Sequence, residues 1–149
     1  MSLTSKHYDL TKKFRFESAH RLAKGYVGKC ANIHGHSWNG ELTVRCYELD
    51  SMGMGVDFGI MKEAVLRDIE EMFDHKLILQ KDDPIAKLLE GSGSAVVLVD
   101  RNPTSEVLAE LVYNFAKERL NYSINGRVVY EVLSVAIDET CTSSCKYSE

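Results

Sequence analysis

Two runs of strict alternation dominate the first third of the chain. In His7–His20, Phe14, Phe16, Ser18 and His20 share one parity and Lys13, Arg15 and Glu17 the other. In His34–Glu48, His34, His36, Trp38, Leu42, Val44 and Cys46 stand against Glu41, Thr43 and Arg45. A period of two is the side-chain repeat of an extended strand, so each run predicts a strand with one dry and one wet face. A Gly-containing loop, 21–33, separates them. If the two strands pair as a hairpin, their histidine-bearing ends meet.

Further along, the period lengthens. Phe58, Met61, Val65, Ile69 and Met72 recur at helical spacing, with Lys62, Glu63, Arg67, Asp68 and Glu70 on the wet side. Asp57 is the expected N-cap of this helix, which ends at Phe73. The loop before it, Leu49–Gly55, carries the turn-formers Asp50, Gly53 and Gly55. A second helix opens at Pro103-Thr104-Ser105-Glu106, with Thr104 as N-cap and Glu106 in the first turn, and stops near Asn121. Between the helices, His75–Asn102 reads as less regular, with a short apolar strand at Ala95–Val99. Asn125-Gly126 signals a turn. It leads into a long strand, Arg127–Glu139, that is apolar on both parities: Leu133, Val135 and Ile137 against Val128, Val132 and Ala136. That predicts burial on both faces, with a partner subunit on one. A short last strand is expected around Cys145–Tyr147. The order predicts an α+β fold, and 149 residues suit one domain, 1–149.

Composition narrows the function. Eighteen Lys+Arg against 22 Asp+Glu leave a net charge of −4, without the basic excess of a nucleic-acid binder. The longest purely apolar run, Ala95–Val99, is far short of the ~20 residues of a membrane span. Met1–Lys6 lacks a secretory pattern. The four cysteines, Cys30, Cys46, Cys141 and Cys145, are expected as reduced thiols, so the expected compartment is cytoplasmic.

The chemistry concentrates in the histidines. His34 and His36, two apart on a strand, project from the same face. His20 ends the preceding strand on the parity of Phe14 and Phe16, so a hairpin brings three imidazoles together. Three His with no local fourth ligand describe an open zinc site, its last position left for water or substrate. A lone His-x-His satisfied by hydrogen bonds is the bland reading, and His20 weighs against it. Gly35 is expected to let the backbone pass close to the metal. Cys30 is open to three readings: a fourth ligand that closes the site, a base acidified by zinc and imidazoles, or an inert loop cysteine. Cys46 belongs to the core, and Cys141 and Cys145 to a turn. Asp74-His75 is either a proton-transfer pair or a histidine well placed at a helix C-terminus. Glu139 shares the parity of Leu133, Val135 and Ile137. It either binds a ligand or marks where the strand reaches solvent.

Phe16-Glu17-Ser18-Ala19-His20, Cys30-x3-His34-Gly35-His36, Asp74-His75-Lys76, Pro103-Thr104-Ser105-Glu106 and Glu139-Thr140-Cys141 together resemble the 6-pyruvoyl-tetrahydropterin synthase family. The resemblance runs from about Phe14 to Tyr147. The Cys-x3-His-Gly-His spacing resembles its bacterial branch, the 6-carboxytetrahydropterin synthases of queuosine (7-deazaguanine) biosynthesis. One departure is the 76–102 connection, longer than in compact bacterial members.

The resemblance implies a tunnelling fold: an antiparallel four-stranded sheet with two helices on one face, its subunits joined into an oligomeric barrel. A homohexamer of two stacked trimers is typical, with active sites between subunits. Arg15, Glu17, Thr43 and Arg45 would then line a wet lumen. It also implies Zn2+ on His20, His34 and His36, Cys30 as thiolate base, and Asp74 with His75 as proton relay. Glu139 would accept from the 2-amino and N3–H groups of a pterin, with Thr104, Ser105 and Glu106 contributing to the pocket. The implied reaction converts 7,8-dihydroneopterin triphosphate to 6-carboxy-5,6,7,8-tetrahydropterin, acetaldehyde and triphosphate. Zinc acidifies the C–H beside the substrate's diol, Cys30 takes the proton, and His75, oriented by Asp74, relays protons on the far side. Arg21, Lys24 and Lys29 are the expected triphosphate contacts. Two alternatives stand beside this: 6-pyruvoyl-tetrahydropterin formation, which stops after triphosphate loss, and a non-catalytic zinc-stabilised oligomer with Cys30 as fourth ligand. The sequence carries neither the H-x-E and P-C-x-x-C motifs of a zinc deaminase nor the HExxH of a zinc peptidase, which weighs against both.

Overall fold

The two alternating runs form β1 (Tyr8–His20) and β2 (His34–Cys46), as their period requires. They pair antiparallel with His20 opposite His34, Phe16 opposite Trp38 and Phe14 opposite Gly40. The structure, a computed structural model, describes residues 6–149; the reading of Met1–Ser5 lies outside them. The even parity of both strands is buried, and Phe14, Phe16, Trp38, Leu42, Val44 and Cys46 enter the core.

The first predicted helix is one rod in three parts. α1 (Phe58–Met61) passes through a π turn (Lys62–Leu66) into α2 (Arg67–Phe73). Its buried residues Met61, Val65, Ile69 and Phe73 recur every fourth position. On a 3.6-residue helix that spacing drifts around the axis, and the wider π turn slows the drift and keeps the four on one face. Asp57 caps the rod by accepting from the Gly59 amide at 2.6 Å.

The 76–102 connection is ordered where the sequence reads as irregular. β3 (Lys76–Gln80) runs parallel to β1, α3 (Pro84–Leu89) follows, and β4 (Val96–Val99) runs parallel to β3. Leu77, Ile78 and Leu79 form a continuous apolar triplet with no alternation, as befits a parallel strand covered on both sides. α4 (Ser105–Leu120) starts at Thr104, whose Oγ1 accepts from the Val107 amide. β5 (Tyr122–Ile124) turns at Asn125-Gly126 into β6 (Arg127–Thr140), and β7 (Ser143–Tyr147) is the last strand.

The sheet therefore has seven strands in the order β4-β3-β1-β2-β6-β5, with β7 also paired to β6. The expected four-stranded antiparallel sheet is enlarged and mixed, because β3 and β4 add a parallel wing. The fold is α+β, with Met61–Phe73 and α4 packed against the inner face.

β6 also corrects the two-face reading. Its pairing with β2 slips by one residue, Thr43 facing Ser134 but Val44 facing Val132, so Leu133 is the extra residue of a β-bulge. The bulge exchanges the parities. Val132 before it and Val135 and Ile137 after it all face the core, while Leu133 and Ala136 are half-buried and Val128 is exposed.

Candidate metal centre and active site

The hairpin register delivers the three histidines to one end of the sheet. His20 and His34 are cross-strand partners, and His36 is the next residue on the same face. Their ring centroids are 4.6, 4.9 and 5.1 Å apart. Trp38 forms the floor, edge-on to His20 at 5.0 Å and to His36 at 5.2 Å. Below it, Phe16 stacks on Trp38 at 5.9 Å and meets Phe73 at 5.2 Å. A packed aromatic base of this kind holds rings against tilting, as a preformed ligand set needs.

Hydrogen bonds fix which nitrogen points inward. His20 Nδ1 lies 2.7 Å from the Pro103 carbonyl, and His34 Nδ1 lies 2.7 Å from the Asn32 carbonyl. A carbonyl can only accept, so both Nδ1 atoms carry the hydrogen, and the tautomer this selects turns a bare Nε2 inward in each ring. Those two Nε2 atoms are 3.1 Å apart. Two lone pairs at that separation repel unless a cation stands between them. Nε2 of His36 is buried with no hydrogen-bond partner; the nearest carboxylate oxygen, Glu139 Oε1, is 3.6 Å away, beyond hydrogen-bond range.

The ligand atoms of the three histidines all lie within 4.8 Å of one another. A tetrahedral zinc ion with Zn–N bonds of about 2.0–2.1 Å spaces its nitrogens about 3.3 Å apart. The set fits a divalent ion with a small inward movement of one ring. Burial lowers the His20 and His36 pKa values, opposed by the Pro103 carbonyl at His20 and by Glu139 at both rings. Both rings are thereby kept in the neutral form a metal requires.

Glu139 reaches this site because of the bulge. Asn39 pairs with Asp138, so Glu139 comes level with Trp38 and onto the face of His36. Without the extra residue at Leu133, Val132 and Glu139 could not share that face. The N-terminus of α4 abuts the site through Pro103, next to Thr104. Ser105 Oγ contacts Glu106 Oε2 at 3.4 Å. The Glu106 carboxyl is lowered by its own backbone N–H, with Thr104 and Ser105 assisting.

Cys30 sits half-buried in a 3-10 turn (Lys29–Ala31), its carbonyl accepting from the Leu22 amide at 2.9 Å. Among the described residues the metal-ligand group consists of the three histidines, and Cys30 is not part of it. The fourth-ligand reading therefore lacks geometric support.

Asp74 and His75 form the anticipated pair, His75 Nδ1 lying 2.7 Å from Asp74 Oδ2. The other carboxylate oxygen accepts from the Glu17 amide at 2.8 Å, and the Glu17 carbonyl accepts from the His75 amide at 2.6 Å. That clamp sets the pair beside β1 and accompanies the unusual positive φ of His75, 57°. The Glu17 amide, then His75, lowers the Asp74 carboxyl. The His75 side chain is 81% exposed, and no hydrogen bond or ring contact links it to the three histidines among the described residues.

Two expectations fail here. A Cβ on Gly35 would meet only Ser18 O, at an ordinary 3.7 Å. Gly35 projects away from the histidines, so close approach to a metal does not explain it. Arg21 is not a free phosphate ligand, because Nε and Nη2 bond both oxygens of Asp83 at 2.7 and 2.9 Å. Asn102, whose side chain ties down the loop ahead of Cys30, escaped the sequence reading entirely; nothing in its neighbourhood signalled it.

An α+β sheet that gathers the ligand nitrogens of three histidines within 4.8 Å of one another forms a group of the kind that can hold one metal ion. The family model for 6-pyruvoyl tetrahydropterin synthase matches residues 9–149. A 6-carboxy-5,6,7,8-tetrahydropterin synthase of Aquifex aeolicus is 35% identical, covering 95% of this protein and 98% of its own length. One of Haemophilus influenzae is 30% identical over 95% and 99%. Among solved structures, an uncharacterised protein of Wolinella succinogenes superposes with a TM-score of 0.80 at 24% identity, covering 97% and 99%. The 6-pyruvoyl tetrahydropterin synthase of Caenorhabditis elegans gives 0.70 at 23%, covering 97% and 96%. The chain belongs to the 6-pyruvoyl tetrahydropterin synthase family and is an enzyme of its lyase class. No described helix is long and apolar enough to cross a membrane.

Proposed function

We propose that the protein is a zinc enzyme converting 7,8-dihydroneopterin triphosphate to 6-carboxy-5,6,7,8-tetrahydropterin, acetaldehyde and triphosphate, in the cytoplasm, as a step of 7-deazaguanine biosynthesis. Support comes above all from the inward-facing Nε2 atoms of His20, His34 and His36, with Glu139 beside them. The carboxy product, rather than the pyruvoyl one, is favoured by the names of the more similar relatives, among them the Aquifex and Haemophilus enzymes.

An ion held by the three histidines supplies Lewis-acid polarisation of the substrate's side-chain hydroxyl groups, which makes the neighbouring C–H acidic. Glu139 accepts from the 2-amino and N3–H groups of the pterin and sets its depth, while Thr104, Ser105 and Glu106 border the ring. Cys30, as thiolate, removes the proton from that carbon. His75 moves the proton on the opposite side of the substrate. Asp74 holds its Nδ1–H, which leaves Nε2 free for that transfer. The exposure of His75 in a single subunit is what a pair completing a neighbour's site requires, so a homo-oligomer with active sites between subunits, a hexamer of two trimers, belongs to the proposal. Lys24 and Lys29 remain exposed for the triphosphate.

The test is incubation of the zinc-loaded protein with 7,8-dihydroneopterin triphosphate and identification of products. Acetaldehyde and the 6-carboxy pterin in equal amounts are expected, and Cys30→Ala should keep its metal while losing about 100-fold or more in turnover. A 6-pyruvoyl product without acetaldehyde, or full activity of Cys30→Ala, contradicts the assignment.

A further inference from the structure

The 76–102 connection reaches back to the loop that carries Cys30. Asp83, at the start of α3, has a side chain with no solvent exposure. Its oxygens accept from Arg21 Nε and Nη2 at 2.7 and 2.9 Å and from the Ile85 amide at 2.9 Å. At the other end of the connection, Asn102 brackets the same loop. Its Oδ1 accepts from the Ala23 and Lys24 amides at 3.2 and 3.3 Å, and its Nδ2 donates to the Lys24 carbonyl at 2.9 Å. Leu22, between these two anchors, donates its amide to the Cys30 carbonyl at 2.9 Å. The anchors are themselves tied to the sheet, since β3 pairs with β1 up to Ile78 opposite His20, and the Asp83 amide donates to the Gln80 carbonyl at 2.9 Å.

We infer that Asp83 and Asn102 are positioning residues for Cys30: the Arg21–Asp83 ion pair and the Asn102 bracket hold Leu22 still, and Leu22 holds Cys30 in register with the histidines. A loop of this length between two ligand-bearing strand ends has no regular structure of its own beyond the short turn at Cys30. Its conformation must be imposed from outside. Two-point hydrogen bonding by a buried carboxylate imposes direction as well as distance. Displacement of a reacting group by about 1 Å can cost about 100-fold in rate, so anchors at Arg21 and Ala23, on either side of the thiol's backbone partner Leu22, bear on catalysis.

This inference rests on the reading of Cys30 as base, and its test includes a readout independent of that reading. Amide exchange at Leu22 reports the bond to Cys30 directly. Asp83→Asn keeps the cap on Ile85 and removes the charge; Asn102→Ala removes the bracket. In each, exchange at Leu22 should quicken about tenfold or more, the factor expected for loss of a charge-assisted or multiple contact. Turnover should fall about 10- to 100-fold, with metal content and the protection of Phe16 and Trp38 unchanged. Arg21→Lys, which retains a single contact to Asp83, should recover part of what Arg21→Met loses in both readouts. Unchanged exchange at Leu22 in Asp83→Asn and Asn102→Ala overturns the inference, as does wild-type turnover despite lost protection. Full activity of Cys30→Ala would remove the base assignment alone, and the Leu22 exchange would still judge the anchoring. Should Asp83→Asn fail to fold, Asn102→Ala and Arg21→Lys decide the matter.

Discussion

Gly40 offers a quantitative check on the packing beneath the metal site. It sits opposite Phe14 in the β1–β2 ladder. A Cβ added there would lie 2.1 Å from Phe14 Cζ and 2.5 Å from Cε1 and Cε2. The ring covers the bare backbone and would have to retreat by more than an ångström. Retreat is opposed, because Phe14 is only 5% exposed and stacks on Phe16, itself wedged against Trp38 and Phe73. Gly40→Ala should therefore incur the upper part of the overpacking range, about 3 kcal/mol. Restricting the unfolded chain returns roughly 0.7 kcal/mol, so the net loss is about 2 kcal/mol. For a protein of this size that lowers Tm by about 4–8 °C. Denaturant and thermal unfolding at fixed protein concentration measure it. The double variant Phe14→Leu/Gly40→Ala should be more stable than additivity predicts, by about 1 kcal/mol or more. A Gly40→Ala protein within 0.5 kcal/mol of wild type, or strict additivity with Phe14→Leu, refutes the reasoning.

Glu139→Gln removes the charge that the proposal places against two pterin donors, and kcat/KM should fall about 10- to 100-fold, one charge-assisted hydrogen bond. Metal content should stay constant; a change under threefold would detach Glu139 from the substrate. The metal-free protein should weaken in acid. His20 and His36 have pKa values lowered chiefly by burial, so folding favours their neutral forms. That contribution is complete above the unfolded value of about 6.5 and is lost as pH falls through the lowered folded values. Denaturation midpoints of metal-free protein should thus decline below about pH 6.5, and less steeply in His36→Asn. An equal decline in the variant would contradict the assignment.

Where a residue's role depends on its own strand or helix period, the sequence already disclosed it. The parity of Phe14, Phe16, Ser18 and His20, the His34-x-His36 spacing and the caps at Asp57 and Thr104 are local properties, and each reappears in the structure. Roles that depend on a distant partner were not legible. β3 gave no periodic signal because its apolar triplet is covered on both faces. The bulge at Leu133 is a matter of pairing with β2, so the strand alone suggested two apolar faces instead of one interrupted face. Arg21 looked like a spare cation because Asp83 stands 62 residues away, and the acceptor that orients His20 is a backbone carbonyl, Pro103, invisible to any reading of side chains.

X-ray absorption on purified zinc-loaded protein, beside metal quantification, addresses the central claim most directly. One zinc per subunit is expected, with nitrogen and oxygen neighbours at about 2.0–2.1 Å and no change on Cys30→Ala. A sulfur shell at about 2.3 Å that vanishes in Cys30→Ala, or a protein that takes up no stoichiometric ion, would contradict it.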